Sequence, residues 1–148
     1  MSIFEKWNLE TSILDAIKSR GWTEPTEIQI DAIPFARKGR DIVGQAKTGS
    51  GKTAAFGIPI IEKCQNIGTP QSIILCPTRE LAVQVAEEMN LLQGKKGLKI
   101  ITVYGGTDIE KQAKKLSNGC DIIVGTPGRV IDMNKRGYLN LQEISIFC

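Results

Sequence analysis

Ala46-Lys47-Thr48-Gly49-Ser50-Gly51-Lys52-Thr53 decides how the rest of this chain is read. It follows Asp41-Ile42-Val43-Gly44-Gln45-Ala46, which reads as a short strand. It opens a stretch from about Gly51 to Cys64 that reads as a helix, with Pro59 as an irregularity. A strand, a glycine-rich turn and a helix in that order form the setting of a phosphate-binding loop of the G-x-x-x-x-G-K-[ST] pattern. Gly49 and Gly51 open backbone conformations closed to residues with a Cβ, so several N–H groups can aim at one anion. The positive end of the following helix adds to that attraction. Lys52 supplies a mobile charge for the β- and γ-phosphates, and the Thr53 hydroxyl is suited to Mg²⁺. Ala46 stands where the pattern has its first glycine, and a small residue fits there. The competing reading is an ordinary glycine-rich turn with an incidental Lys-Thr. The loop alone points to a nucleoside triphosphate, without naming the base or the use of its energy.

Outward from the loop, short apolar runs alternate with amphipathic ones. Asn8 to Arg20 carries Leu9, Ile13 and Ile17 on one helical face, with Gly21 as a stop. Pro25 opens a second helical stretch with Ile28, Ala32 and Ile33, and Pro34 is expected to end or kink it. Ser72–Cys76, Leu98–Tyr104, Asp121–Val124 and Ile144–Cys148 read as strands. Arg79–Gln93, a stretch opened by Thr107-Asp108-Ile109-Glu110 with capping-box spacing, and Gly128–Lys135 read as helices. Continuous apolar strands separated by helices predict an α/β fold with a mostly parallel sheet covered by helices on both faces.

The chain has 148 residues, enough for one domain. Its apolar fraction of 41% supports a real core, and no apolar run approaches the roughly 20 residues of a membrane span. Histidine is absent, which removes Ser-His and Cys-His catalytic pairs and the commonest zinc ligand. A net charge of +3 permits nucleic acid without arguing for it. Cys64, Cys76, Cys120 and Cys148 form no C-x-x-C pair and read as reduced thiols of a cytoplasmic protein. Because the last strand is entered at Ile144 and unfinished at Cys148, the chain is expected to be part of a larger domain. The open strand edge is a site at which copies could pair.

Several segments, in this order, resemble the DEAD-box family of ATP-dependent RNA helicases. Gly21-Trp22-Thr23-Glu24-Pro25-Thr26-Glu27-Ile28-Gln29 is similar to its adenine-reading Q motif, with Phe4 as the upstream aromatic. The loop Ala46–Thr53 is similar to motif I, Ala46 included. Pro77-Thr78-Arg79-Glu80-Leu81-Ala82 is similar to motif Ia, Gly105-Gly106 to the glycine pair, and Thr126-Pro127-Gly128-Arg129 to motif Ib.

The resemblance implies the N-terminal part of a RecA-like P-loop domain. Its Q motif spans about residues 4–29 and its ATP-binding core about residues 40–148. It implies ATP and Mg²⁺ as cofactors. Trp22, Glu24, Gln29 and the loop residues Ala46, Lys47, Thr48, Gly49, Ser50, Gly51, Lys52 and Thr53 would then face the nucleotide, Lys52 and Thr53 in catalytic roles and Thr53 on the metal. Trp22 offers a flat face for the adenine ring. Gln29 can donate to and accept from adenine, whereas guanine presents two acceptors on that edge. The resemblance also implies RNA held through its sugar-phosphate backbone by Pro77, Thr78, Arg79, Gly105, Gly106, Thr126, Pro127, Gly128 and Arg129. Arg79 and Arg129 could instead pair with local carboxylates such as Glu80 or Asp132. The family's acidic motif II would fall just after Cys148, and the second RecA-like domain lies outside this sequence. The expectation is therefore an ATP- and RNA-binding part that hydrolyses ATP hardly at all. Two other readings stay open: a P-loop enzyme that does not use nucleic acid, and a non-catalytic binding module.

Overall fold

The computed structural model describes residues 2–47 and 49–148. Thr48, one of the expected nucleotide-facing residues, lies outside them. The chain divides into two compact units, Met1–Lys63 with Glu88–Lys96, and Cys64–Glu87 with Gly97–Cys148.

The first unit is helical: α1 (Ile3–Lys6), α2 (Thr11–Ser19), α3 (Glu27–Arg37), α4 (Lys52–Lys63) and the C-terminal end of α5 (Arg79–Gln93). Phe4 is buried on α1, an element too short to show a period in the sequence, and Ser2 caps it by accepting from the Glu5 N–H at 3.3 Å. Asn8 adopts a positive φ of 58°, so α2 begins at Thr11 instead of at Asn8, while Leu9 still reaches the core. Ile13, Ile17, Ile33, Ile58, Ile61, Met89 and Leu92 complete that core.

Pro34 does not end α3, which runs on to Arg37. The lost N–H bond is outweighed locally by packing and by Arg37. That guanidinium donates to the Trp7 carbonyl at 2.6 Å and pairs with Glu62 at 2.8 Å. Pro59 likewise sits inside α4.

The predicted strand Asp41–Ala46 is not a strand. Ile42 is exposed and Val43 is 104% exposed. A strand is held by its ladder, and none of the described strands pairs with this segment.

The second unit holds β1 (Ser72–Leu75), the start of α5, β2 (Ile100–Val103), α6 (Ile109–Ser117), β3 (Ile122–Gly125), α7 (Pro127–Lys135), a 3-10 turn (Leu141–Glu143) and β4 (Ile146–Phe147). The strands run in the order β2-β3-β1-β4, all parallel, with Ile101 beside Ile123 and Ile123 beside Ile73. One face packs Ile73, Val103 and Ile123 against Leu116 of α6 and Val130 and Met133 of α7. Ile74, Ile122 and Val124, which alternate to the other face, are equally buried. The helix after β2 is capped by Asp108, which accepts from the Glu110 N–H at 3.0 Å, and not by Thr107. Among the described helices, none is long and apolar enough to cross a membrane.

Register brings the ends of three strands to one edge. Val103, Gly125 and Leu75 lie side by side, so the segments starting at Tyr104, Thr126 and Cys76 leave the sheet together. In parallel α/β sheets this C-terminal edge is where ligands bind.

Candidate functional site

In the first unit, Gly49 and Gly51 take φ of +80° and +86°, the left-handed backbone expected where a glycine-rich turn is to cradle an anion. α4 starts at Lys52, so its unpaired N–H groups face the loop's mouth. Lys52 is exposed and has no hydrogen-bond or ion-pair partner among the described residues. Ser50 folds back on Lys47, whose carbonyl accepts from both the Ser50 N–H (3.2 Å) and the Ser50 hydroxyl.

Gln29 comes to this loop. Its Oε1 accepts from the Thr26 N–H at 3.0 Å, forming a capping box on α3, and its Nε2 donates to the Gly51 carbonyl at 3.3 Å. Gly51 must be glycine for this approach, since a Cβ there would stand 2.8 Å from Thr26 Oγ1 and closer still to Gln29. Gln29 is only 2% exposed, which is unlike a polar residue on an open helix face. Each amide has two donors and two lone pairs. These bonds engage one of each and leave one of each.

Trp22 is half-buried. The Arg20 guanidinium sits 4.5 Å from its ring centroid and is itself tied to Glu88 at 2.9 Å. Trp22 lines a cavity of about 180 Å³ with Phe4, Leu14, Ile17 and Lys18. Among the described residues, neither Gln29 nor any residue of the loop lines it. Glu24 is exposed and accepts from the Ile3 N–H at 3.3 Å. The structure thus joins Gln29 to the loop, and ties Trp22 and Glu24 to neighbours near the N-terminus.

The second unit gathers the remaining segments at the sheet's C-terminal edge. Thr78 caps α5, its hydroxyl accepting from the Leu81 N–H at 3.2 Å. Thr126 makes no such bond at the start of α7, where Pro127 occupies the first turn. Gly105, Gly106 and Gly128 face open space, and Gly106 holds a φ of +83°. Among the described residues Arg79 pairs with no carboxylate; its guanidinium lies 4.8 Å from the centroid of the Tyr104 ring. Arg129 likewise avoids Glu80 and Asp132. It donates to Gln112 Oε1 at 2.9 Å and to the Thr107 carbonyl at 3.0 Å, while Asp132 pairs with Arg136.

Tyr104 and Gln112 were not foreseen in the sequence. Gln112 sits with Ile109, Ala113 and Leu116 at the spacing of an apolar helical stripe. A polar residue in such a stripe is the available signal for a buried network. Among the described residues no group of three His, Cys, Asp or Glu could hold a metal ion; Thr53, the expected Mg²⁺ ligand, is half-buried in the first turn of α4.

The sequence profile of the DEAD/DEAH box helicases matches residues 26–147, most of the chain. The chain belongs to the DEAD/DEAH box helicase family. It is 49% identical over 142 residues to the DEAD-box ATP-dependent RNA helicase CshA of Streptococcus pneumoniae serotype 4. It is 50% identical over 145 residues to a probable ATP-dependent RNA helicase of Methanocaldococcus jannaschii. These alignments cover 95% and 97% of the chain but 27% and 39% of the two relatives, so the chain spans between a quarter and two fifths of their length. Among solved structures, a DEAD box protein from the hyperthermophile Methanococcus jannaschii superposes with a TM-score of 0.90 at 49% identity, over 95% of this chain and 39% of that one. A hypothetical ATP-dependent RNA helicase from Sulfolobus tokodaii gives 0.83 at 37% identity, over 93% of this chain and 41% of that one. The family member therefore has the expected RecA-like α/β fold.

Proposed function

We propose that this chain is the ATP- and RNA-binding part of an RNA-stimulated ATPase that unwinds or remodels RNA duplexes. The observation that carries the nucleotide half is Gln29 Nε2 on the carbonyl of Gly51. It sets a base-reading amide against the phosphate loop, with one donor and one acceptor still available. Adenine's N6–H and N7 match that remaining pair, and guanine's O6 and N7 do not. Because Gln29 is buried, the base must displace part of its cover on entry. Lys52 and the N-terminus of α4 meet the phosphates. Mg²⁺, when bound, would neutralise phosphate charge, with Thr53 as its ligand from this chain.

The RNA half rests on the turns at Pro77–Arg79, Gly105-Gly106 and Thr126–Arg129 sharing one sheet edge. They offer N–H groups, a free Thr126 hydroxyl and the unpaired Arg79 to a sugar-phosphate backbone, a grip without base code. RNA would be told from DNA by its 2′-hydroxyls. The cytoplasm is the compartment that fits Cys76, Cys120 and Cys148 as reduced thiols.

Two measurements test this. Gln29→Glu should narrow the ATP-over-GTP preference in equilibrium binding. If Gln29 only braces the loop, both nucleotides weaken together and the base-reading role is refuted. Lys52→Ala should weaken ADP by about tenfold or more, and equal binding would refute the phosphate site.

A further inference from the structure

Gln112 is a buried residue on the otherwise largely exposed helix α6, and two segments of the candidate RNA face, Tyr104–Thr107 and the start of α7, meet at its amide. Its Nε2 donates to the Tyr104 carbonyl at 3.0 Å and to Thr107 Oγ1 at 2.7 Å. Its Oε1 accepts from the Tyr104 N–H at 3.3 Å and from Arg129 at 2.9 Å. Every donor and lone pair of the group is therefore engaged. These partners also set its orientation. Flipping the amide would face its NH₂ toward the Arg129 guanidinium and the Tyr104 N–H, and its oxygen toward a carbonyl.

The bonds bracket Gly105-Gly106 on both sides. With no Cβ at either position and open space around them, these glycines have little else to hold their backbone. Arg129 closes the bracket by donating to the Thr107 carbonyl. On the other side Tyr104, its backbone clamped at both N and O, presents its ring to Arg79. The cation–π contact holds that side chain while leaving its N–H groups without hydrogen-bond partners among the described residues.

We propose that Gln112 is a positioning residue for nucleic-acid binding. By clamping Tyr104–Thr107 and Arg129 about one buried amide, it pre-organises Arg79, Gly105-Gly106 and the start of α7 to take a single RNA strand. This rests on the reading of those turns as the RNA-gripping segments. Gln112 itself touches no RNA. Its effect is to lower the ordering required when the strand binds.

The test uses the 148-residue chain, a fluorescein-labelled single-stranded ten-nucleotide RNA read by anisotropy, and ADP titrated in parallel. Gln112→Leu removes all the side-chain bonds and should weaken RNA by about tenfold, the loss of roughly one net hydrogen bond's worth of organisation. Gln112→Glu keeps the acceptor for Arg129 but loses both donors, and should fall in between. ADP affinity should stay within about twofold for both. Tyr104→Leu should weaken RNA in the wild-type background and add nothing in Arg79→Ala, because it acts through that arginine. Wild-type RNA affinity in both Gln112 variants overturns the proposal, as does a parallel loss of ADP binding. If Gln112→Leu does not fold, Gln112→Glu and Tyr104→Leu decide by the same criteria. Absence of RNA binding by the wild-type chain overturns the RNA reading itself and this inference with it; loss in Arg79→Ala but not in the Gln112 variants overturns the inference alone.

Discussion

Asp121→Asn gives the sharpest test of how the sheet is held. Asp121 is completely buried at the N-terminal edge, opposite the candidate RNA face. Its Oδ1 accepts from the N–H groups of Ile67 (3.1 Å) and Gly68 (2.8 Å) and from Gln71 Nε2 (3.2 Å); its Oδ2 accepts from the Lys99 N–H at 2.8 Å. One carboxylate thus ties the loop before β1, the entry to β2 and the start of β3. An asparagine can keep its oxygen on the first group of donors. Its NH₂ then faces the Lys99 N–H, donor against donor. One hydrogen bond to a charged acceptor is lost and one buried donor is orphaned, which costs about 2–4 kcal/mol. For a chain of this size each kcal/mol lowers Tm by roughly 2–4 °C, so a drop of about 5–15 °C is expected by circular dichroism. Asp121→Ala orphans every donor and should fall further. A change under about 2 °C for Asp121→Asn would refute the reasoning. RNA affinity measured well below Tm should be unchanged, because the Tyr104–Thr107 clamp does not involve this residue.

Two further outcomes concern protons. Burial pushes the Glu62 carboxyl above its ordinary value of 4.5, and Arg37 beside it only partly offsets that. The unfolded chain therefore releases this proton first, so stability should fall as pH rises from 4.5 through the raised value. Glu62→Gln should remove that component from urea melts taken at successive pH values; an unchanged slope refutes it. Burial, aided by Asp121, raises the Cys120 thiol to about 12, and burial with Cys76 nearby raises Cys148 to about 11. Both should stay protonated at neutral pH. Alkylation of Cys148 by iodoacetamide, followed by mass spectrometry, should rise about tenfold per pH unit between 8 and 10, and rapid labelling at pH 7 would contradict it.

Local chemistry made much of this protein legible from its residues. The apolar runs at Ser72, Leu98, Asp121 and Ile144 became four parallel strands; the two central ones, β1 and β3, are almost wholly buried, as hydrophobic patterning reports directly, while β2 is mostly half-buried and β4 leaves Phe147 exposed. The helix Arg79–Gln93 was bounded correctly, and Gly49 and Gly51 took the positive φ their loop demands. Where a tertiary partner decides the outcome, pattern alone misled. Asp41–Ala46 has strand-like residues but no paired neighbour, and Pro34 stays helical because Arg37 anchors the turn beyond it. Gln29 by itself looks like a surface amide, and Gln112 is marked only as a polar residue within an apolar stripe. Only the fold reveals that one closes on Gly51 and the other on Tyr104, Thr107 and Arg129, because a hydrogen bond between residues far apart in the chain leaves no period in the sequence. The order of motifs was enough to identify the family; the packed structure alone decided which side chains hold those motifs in place.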